Sequence, residues 1–155
     1  MFCLSESTEK LIAHARKNQL KIVFTNGCFD ILHRGHVVYL NEARKLGDIL
    51  VVGLNSDSSV KRLKGESRPI NGEIDRKYVL ENLRSVGCVE IFHEDTPLEL
   101  IHAIKPNILV KGGDWDLKNI VGAEFVLSQG GEVKSLSFVN GYSTTSVINT
   151  IAKTE

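Results

Sequence analysis

The run Ile49-Leu50-Val51-Val52-Gly53-Leu54 contains no polar side chain. A strand with one wet face alternates apolar and polar residues, so a strand that is apolar throughout must be covered on both faces. This run therefore requires a parallel sheet lying between layers of helix. The rest of the chain agrees. Ile22-Val23-Phe24, Cys88-Val89-Glu90-Ile91-Phe92 and Asn107-Ile108-Leu109-Val110 read as further strands, and 132–139 as a fifth. Helical spacing separates them. Residues 5–18 form a leading helix, with Ser5, Ser7 or Thr8 as N-cap and Leu11, Ile12 and Ala15 on its apolar face. Val37, Val38, Leu40, Ala43 and Leu46 make a second helix that Gly47 stops, and a third pattern runs from about 72 to 86. Thr96-Pro97-Leu98-Glu99 places Thr at N-cap, Pro at N1 and Glu at N3 of another helix. A helix follows at about 121–129, and Ser143-Thr144-Thr145-Ser146 opens a closing one. Asn55 to Gly65 reads as a polar loop. Alternation of this kind with short connections implies βαβ units in one domain, with ligands bound beyond the carboxyl ends of the strands.

At 155 residues, 42% of them hydrophobic, the chain is long enough for one full core. Nineteen basic residues balance nineteen acidic ones, so no general field draws it to nucleic acid or membrane. No apolar stretch approaches the roughly 20 residues of a membrane span, and no signal-peptide pattern opens the sequence. The cytoplasm is the expected compartment. Cys3, Cys28 and Cys88 are odd in number and widely spaced, which suits neither a disulfide framework nor a zinc site.

Four stretches carry chemistry, and each follows a strand, so all should meet on one rim. The first is Thr25-Asn26-Gly27-Cys28-Phe29-Asp30-Ile31-Leu32-His33-Arg34-Gly35-His36. A turn leading into a helix start collects free N–H groups, the positive end of a helix dipole and two imidazoles, all suited to a phosphate. Either histidine alone would read as a cap or a surface residue. The second is Lys61-Arg62-Leu63-Lys64-Gly65, where Lys64 is favoured over Lys61 as a point charge for phosphate. Arg76 in the next helix is a further phosphate candidate. The third is Lys111-Gly112-Gly113-Asp114-Trp115, where Gly112 permits close backbone approach and Trp115 offers a stacking surface. The fourth is the hydroxyl cluster Ser143, Thr144 and Thr145 at a helix start. No carboxylate cluster accompanies these stretches, so no resident metal is expected.

His33-Arg34-Gly35-His36 resembles the HxGH signature of the nucleotidyltransferase superfamily that includes cytidylyltransferases and phosphopantetheine adenylyltransferase. Gly141 to Ser146 is similar to that superfamily's second signature, although Tyr142 and Asn149 depart from it. The resemblance implies a Rossmann-like parallel five-stranded sheet with helices on both faces, in a single domain over 1–155: a leading helix at 1–20 and a catalytic core at 21–151. It also implies direct in-line attack on the α-phosphorus of a nucleoside triphosphate, with release of pyrophosphate. His33, His36 and Lys64 would then be catalytic. Thr25, Asn26, Gly27, Cys28, Phe29, Gly35, Arg76, Gly112, Ser143, Thr144 and Thr145 would bind nucleotide and phosphates. Asp30, Lys61, Asp114 and Trp115 would face the acceptor. Magnesium or a similar divalent ion would accompany ATP.

Several stretches narrow the resemblance to the heptose 1-phosphate adenylyltransferase family. They are Asn26 to Asp30, Ser59 to Gly65, Arg68-Pro69-Ile70, Glu94 to Pro97, Leu109 to Asp114, Ile120 to Glu124 and Gly130 to Lys134. The implied substrates are ATP and a sugar 1-phosphate, with no nucleic-acid or membrane partner, and a homodimer stays open. Two other readings remain: a cytidylyltransferase acting on glycerol 3-phosphate, which the Trp115 stretch resembles apart from Gly113, and a non-catalytic nucleotide-binding module.

Overall fold

A computed structural model describes residues 2–153. The expected span of 1–155 thus includes Met1, Thr154 and Glu155, which lie outside the described residues. The chain runs α1 (Glu6–Lys17), β1 (Ile22–Gly27), α2 (Arg34–Arg44), β2 (Ile49–Asn55), α3 (Asp57–Lys64), α4 (Glu73–Glu81), β3 (Cys88–Phe92), α5 (Leu98–Ile104), β4 (Ile108–Gly112), α6 (Ala123–Ser128), β5 (Glu132–Leu136) and α7 (Thr144–Ala152). A 3₁₀ turn at Leu117–Asn119 precedes α6. The strands form one sheet in the order β3-β2-β1-β4-β5, parallel at every pairing.

The uninterrupted apolar strands are explained by two cores, one on each face. Phe24, Val51 and Leu109 pack with Ile12 and Ala15 of α1, Leu100, Ile101 and Ile104 of α5, and Ala123 and Val126 of α6. Their sequence neighbours Val23, Leu50, Val52, Ile108 and Val110 point the other way, onto Tyr39, Leu40 and Ala43 of α2 and Leu80 of α4. Successive side chains of a strand face opposite ways, so each needs its own helical layer. Ser5 caps α1, as one of the three candidates; its hydroxyl accepts from the Thr8 amide and donates to Glu90 at 2.8 Å.

Several boundaries differ from those read in the sequence. The stretch expected as a polar loop is α3, capped by Ser56, whose hydroxyl accepts from the Ser59 amide at 3.2 Å. Only Ser59 and Val60 of that helix are buried, so its apolar stripe was too narrow to register as a period. α4 stops at Glu81 rather than 86, because Asn82 leaves the helical conformation. α5 begins one residue late, with Pro97 itself at the N-cap. β4 is shifted to Ile108–Gly112, and α6 is trimmed by Gly122, which has a φ of 84°. β5 ends at Leu136, not 139, and Phe138 turns back over the sheet, where its ring lies against Gly112.

Strand order reverses between β1 and β4, and in such sheets the ligand crevice opens at that point. The chain that leaves β1 there is the histidine turn.

Candidate active site

The turn is built from a glycine and a strained aromatic. A Cβ on Gly27 would stand 2.9 Å from the Phe29 ring. Phe29 itself has a φ of 45°, in the left-handed region a bulky residue rarely occupies. Its ring packs edge-on to His36, with centroids 5.4 Å apart. Strain of this kind persists where the surroundings hold it in place.

His33 is the N-cap of α2, and its Nδ1 accepts from the Gly35 amide at 3.1 Å. His36, in the first turn, accepts at Nδ1 from the His33 amide at 3.4 Å. The two imidazoles therefore form a reciprocal capping box, in which histidines fill positions usually held by Ser or Thr and Glu. The rings stack with centroids 3.9 Å apart. Gly35 between them is sterically required, since a Cβ there would meet the His33 ring at 2.9 Å and Tyr142 at 3.0 Å. A neutral imidazole that accepts at Nδ1 carries its proton at Nε2. Both rings line the cleft, so each presents an N–H donor there.

Burial pushes the pKa of His33 down. For His36, burial and the neighbouring His33 charge push it down to about 4. Unfolded His36 takes up its proton near pH 6.5, whereas the folded chain resists it until about 4. Between those values the unfolded chain binds more protons, so stability rises with pH. The urea midpoint should accordingly fall as pH drops from about 6.5 toward 4. His36→Asn should flatten that slope, and an unchanged slope would contradict the assignment.

The cleft has a volume of about 750 Å³, in the range of small-molecule sites. Asn26, Gly27, Cys28 and Phe29 line it from the end of β1, Lys64 from the end of α3, Gly112 from the end of β4 with Trp115 just beyond it, and Ser143, Thr144 and Thr145 from the start of α7. The four stretches do converge. Thr144 ties two of them together, its hydroxyl donating to Ile31 O at 3.3 Å. Ser143 caps α7 by accepting from the Ser146 amide. Trp115 is half exposed and donates from its indole to Gly112 O at 2.9 Å. Burial raises the Cys28 thiol pKa, against the opposing charges of Lys64, Arg76 and Arg68.

Other expected site residues are placed elsewhere. Thr25 is fully buried and its hydroxyl pairs with Tyr39 Oη at 2.6 Å. Arg76 is buried with its guanidinium committed to main-chain oxygens and Asp57, so it does not face the cleft. Lys61 and Asp114 are exposed and lie outside the cleft wall. Asp30 is at the wall, but its side chain is fully enclosed by the 68–71 turn. Lys64→Ala should therefore reduce turnover at least several-fold, while Lys61→Ala, a change at an exposed site, should leave it nearly unchanged. Equal rates for the two variants would show α3 to be a plain solvated helix.

Sequence reasoning missed Arg68, Lys111, Tyr39 and Phe138, all of which line the cleft. Lys111 is the penultimate residue of β4, the strand next to β1, with its ammonium 5.9 Å from the Trp115 ring centroid. Burial lowers its pKa; Lys64 adds to that effect and Cys28 opposes it. Its place at the carboxyl end of a central strand was the signal available. Arg68 was marked only as part of the Arg68-Pro69-Ile70 stretch of the resemblance, with no role attached, because it follows a helix absent from the sequence reading.

A doubly covered parallel sheet with paired imidazole donors at its switch point and a hydroxyl-rich helix start opposite defines a Rossmann-like nucleotidyltransferase domain. The comparisons agree. The cytidylyltransferase-like family model matches residues 24–150, and the chain belongs to that family. It is 60% identical over 134 residues to the bifunctional protein HldE of Marinomonas sp. (strain MWYL1), covering 86% of this chain and 28% of that one. It is 57% identical over 150 residues to the bifunctional protein HldE of Aliarcobacter butzleri (strain RM4018), covering 97% of this chain and 31% of the other. The chain thus spans under a third of the length of these relatives. The crystal structure of the lipopolysaccharide core biosynthesis protein from Thermoplasma volcanium GSS1 superposes with a TM-score of 0.62 at 33% identity, over 80% of this chain and 99% of that one.

Proposed function

We propose that the chain transfers AMP from ATP to D-glycero-D-manno-heptose 1-phosphate, giving ADP-heptose and pyrophosphate. The observation that carries this reading is the pair of cleft-lining imidazoles whose Nδ1 atoms are engaged by their own turn, which leaves each Nε2–H to donate elsewhere. As the α-phosphorus becomes pentacoordinate, negative charge grows on its oxygens, and preorganised donors stabilise that charge. An oxygen of the sugar phosphate forms the new bond to the α-phosphorus, and the bond to the β-phosphate oxygen breaks. With a second pKa near 6, a phosphate monoester is largely a dianion at neutral pH, so the attack needs no general base. Neutral histidines that donate and do not abstract fit that demand.

The start of α7, with Ser143, Thr144 and Thr145, would receive the departing β- and γ-phosphates through free N–H groups and hydroxyls. Trp115 would stack on a ring of one substrate. A divalent ion would arrive on the triphosphate as part of the substrate, since magnesium is usually held by phosphates and water with few protein groups. The choice of heptose phosphate rests on the similarity of the Asn26 to Asp30, Ser59 to Gly65 and Leu109 to Asp114 stretches to heptose 1-phosphate adenylyltransferases. Among the described residues no helix is long and apolar enough to cross a membrane, and we infer action on small molecules in the cytoplasm.

The test is pyrophosphate release with four nucleotides crossed against heptose 1-phosphate, other sugar phosphates and glycerol 3-phosphate. ATP with the heptose phosphate should be fastest, and excess chelator should abolish turnover. Faster release from CTP with glycerol 3-phosphate would replace this reading. Binding without turnover in every combination would favour a nucleotide-binding module.

A further inference from the structure

The segment between α3 and α4 is wrapped around one buried carboxylate. Asp30 follows Phe29 in the histidine turn, and its side chain has no exposed surface. It accepts from the Ile70 amide at 2.8 Å, the Asn71 amide at 2.9 Å and Arg68 Nε at 2.6 Å. Asn71 Nδ2 donates back to the Asp30 carbonyl at 2.9 Å. Residues 68–71 are thereby fixed to the same turn that carries His33 and His36.

Arg68 uses only Nε in this arrangement. Its side chain is 16% exposed and lines the cleft. The two terminal Nη groups take no hydrogen-bond partner among the described residues. Both Nη groups lie unpaired at the cleft wall, within reach of solvent, and such a fork is matched geometrically by two oxygens of a phosphate. The sheet order says which phosphate. Arg68 and Lys64 follow β2, on one side of β1, while the α7 start follows β5, beyond β4 on the other side. His33 and His36 stand between them at the end of β1. In-line displacement needs the attacking and leaving oxygens on opposite sides of the phosphorus.

We propose that Arg68, aimed by Asp30, is the fork that binds the acceptor's phosphate on the β2 side of the histidines, opposite the pyrophosphate that leaves toward α7. This deepens the proposed function and rests on it. Arg68 touches substrate, whereas Asp30 is a positioning residue that acts through Arg68. The Arg68 fork holds the acceptor's phosphate oxygens and contributes to acceptor binding more than to ATP binding.

The experiment is steady-state pyrophosphate release by Arg68→Gln, Arg68→Lys and Asp30→Asn, titrating heptose 1-phosphate and ATP in turn. Calorimetric binding of α,β-methylene-ATP and a melting curve accompany each variant. Arg68→Gln should raise the acceptor KM roughly 10- to 100-fold, the effect of losing charge-assisted hydrogen bonds. Affinity for the ATP analogue should stay within about threefold of wild type, as expected when only the partner substrate is contacted. Arg68→Lys should recover part of the loss, because an ammonium keeps the charge without the fork. Asp30→Asn should raise the acceptor KM in the wild-type chain but add little to Arg68→Gln, an outcome that a merely structural aspartate would not produce. An acceptor KM unchanged in folded Arg68→Gln, or an equal loss of ATP-analogue affinity, would overturn the assignment. A wild-type chain that used glycerol 3-phosphate instead would overturn the choice of sugar alone, with Arg68 then judged on that monoester. A wild-type chain inert toward every phosphate monoester would overturn both.

Discussion

His33→Ala and His36→Ala should each lower kcat by about 10²–10³-fold, the usual cost of removing one preorganised donor to a developing oxyanion. Affinity for an ATP analogue should change far less, because the interaction strengthens only as charge appears on the α-phosphorus oxygens. The geometry sharpens the choice of substitution. Each ring has two nitrogens to use: Nδ1 accepts a backbone N–H of the turn, and Nε2 keeps its proton for a ligand in the cleft that both residues line. At His33, the N-cap, asparagine can take over the Nδ1 role because it caps helices well, and at His36 its side-chain oxygen can accept the same His33 amide. A pair of variants at each position therefore separates capping from catalysis. Asparagine should restore the melting temperature without restoring the rate, whereas alanine should lose both, with about 1 kcal/mol of cap stability at His33. Folded alanine variants that keep more than about a tenth of wild-type kcat would remove the histidines from the chemistry, since that falls well short of the donor-loss range.

Arg76→Met should be the most destabilising single change at the rim, by about 3–5 kcal/mol, because it strips a buried charged hub from its partners. Nε donates to Asn71 O at 2.9 Å, and Nη1 to Cys28 O at 2.6 Å and Asn55 O at 2.9 Å. Nη2 pairs with Asp57 at 2.7 Å. One side chain thus joins the chain leaving β1, the end of β2, the start of α3 and the turn before α4. Methionine fills much of the volume but leaves three carbonyl oxygens without this donor, that of Asn55 in a buried setting. Lysine should rescue little, since a single ammonium cannot span the same fan of acceptors. For a chain of this length the loss corresponds to a melting temperature lower by roughly 10 °C. A melting curve that hardly moved, together with weakened ATP binding, would return Arg76 to the role of phosphate ligand.

That reassignment shows where sequence reading reached its limit. The sheet was legible because Ile49 to Leu54 admits only a strand buried on both faces, and the cleft was legible because each chemical stretch follows such a strand. Side-chain direction was not. Arg76 and Lys64 looked equivalent as basic residues near one rim, yet one is 2% exposed and the other lines the cleft from an exposed position. Nothing in linear order says that three carbonyls from three different elements converge on Arg76. Asp30 posed the same problem, since its partners lie about forty residues ahead at Arg68, Ile70 and Asn71. α3 was lost for a different reason: a helix that buries only two residues leaves almost no periodic trace.

The reciprocal caps of His33 and His36 have a consequence for how such a domain can change its trade. In many sites a separate carboxylate orients each histidine and sets its tautomer. Here the backbone of a four-residue stretch does both, so the orientation and tautomer of the two imidazoles are set within His33 to His36. Loops on either flank can then be rewritten without retuning them. The turn after α3 and the segment beyond β4 touch the cleft from independent sides of the sheet. A new alcohol or phosphate partner could be accommodated on one flank while nucleotide choice stays on the other, and the transfer step would be inherited intact.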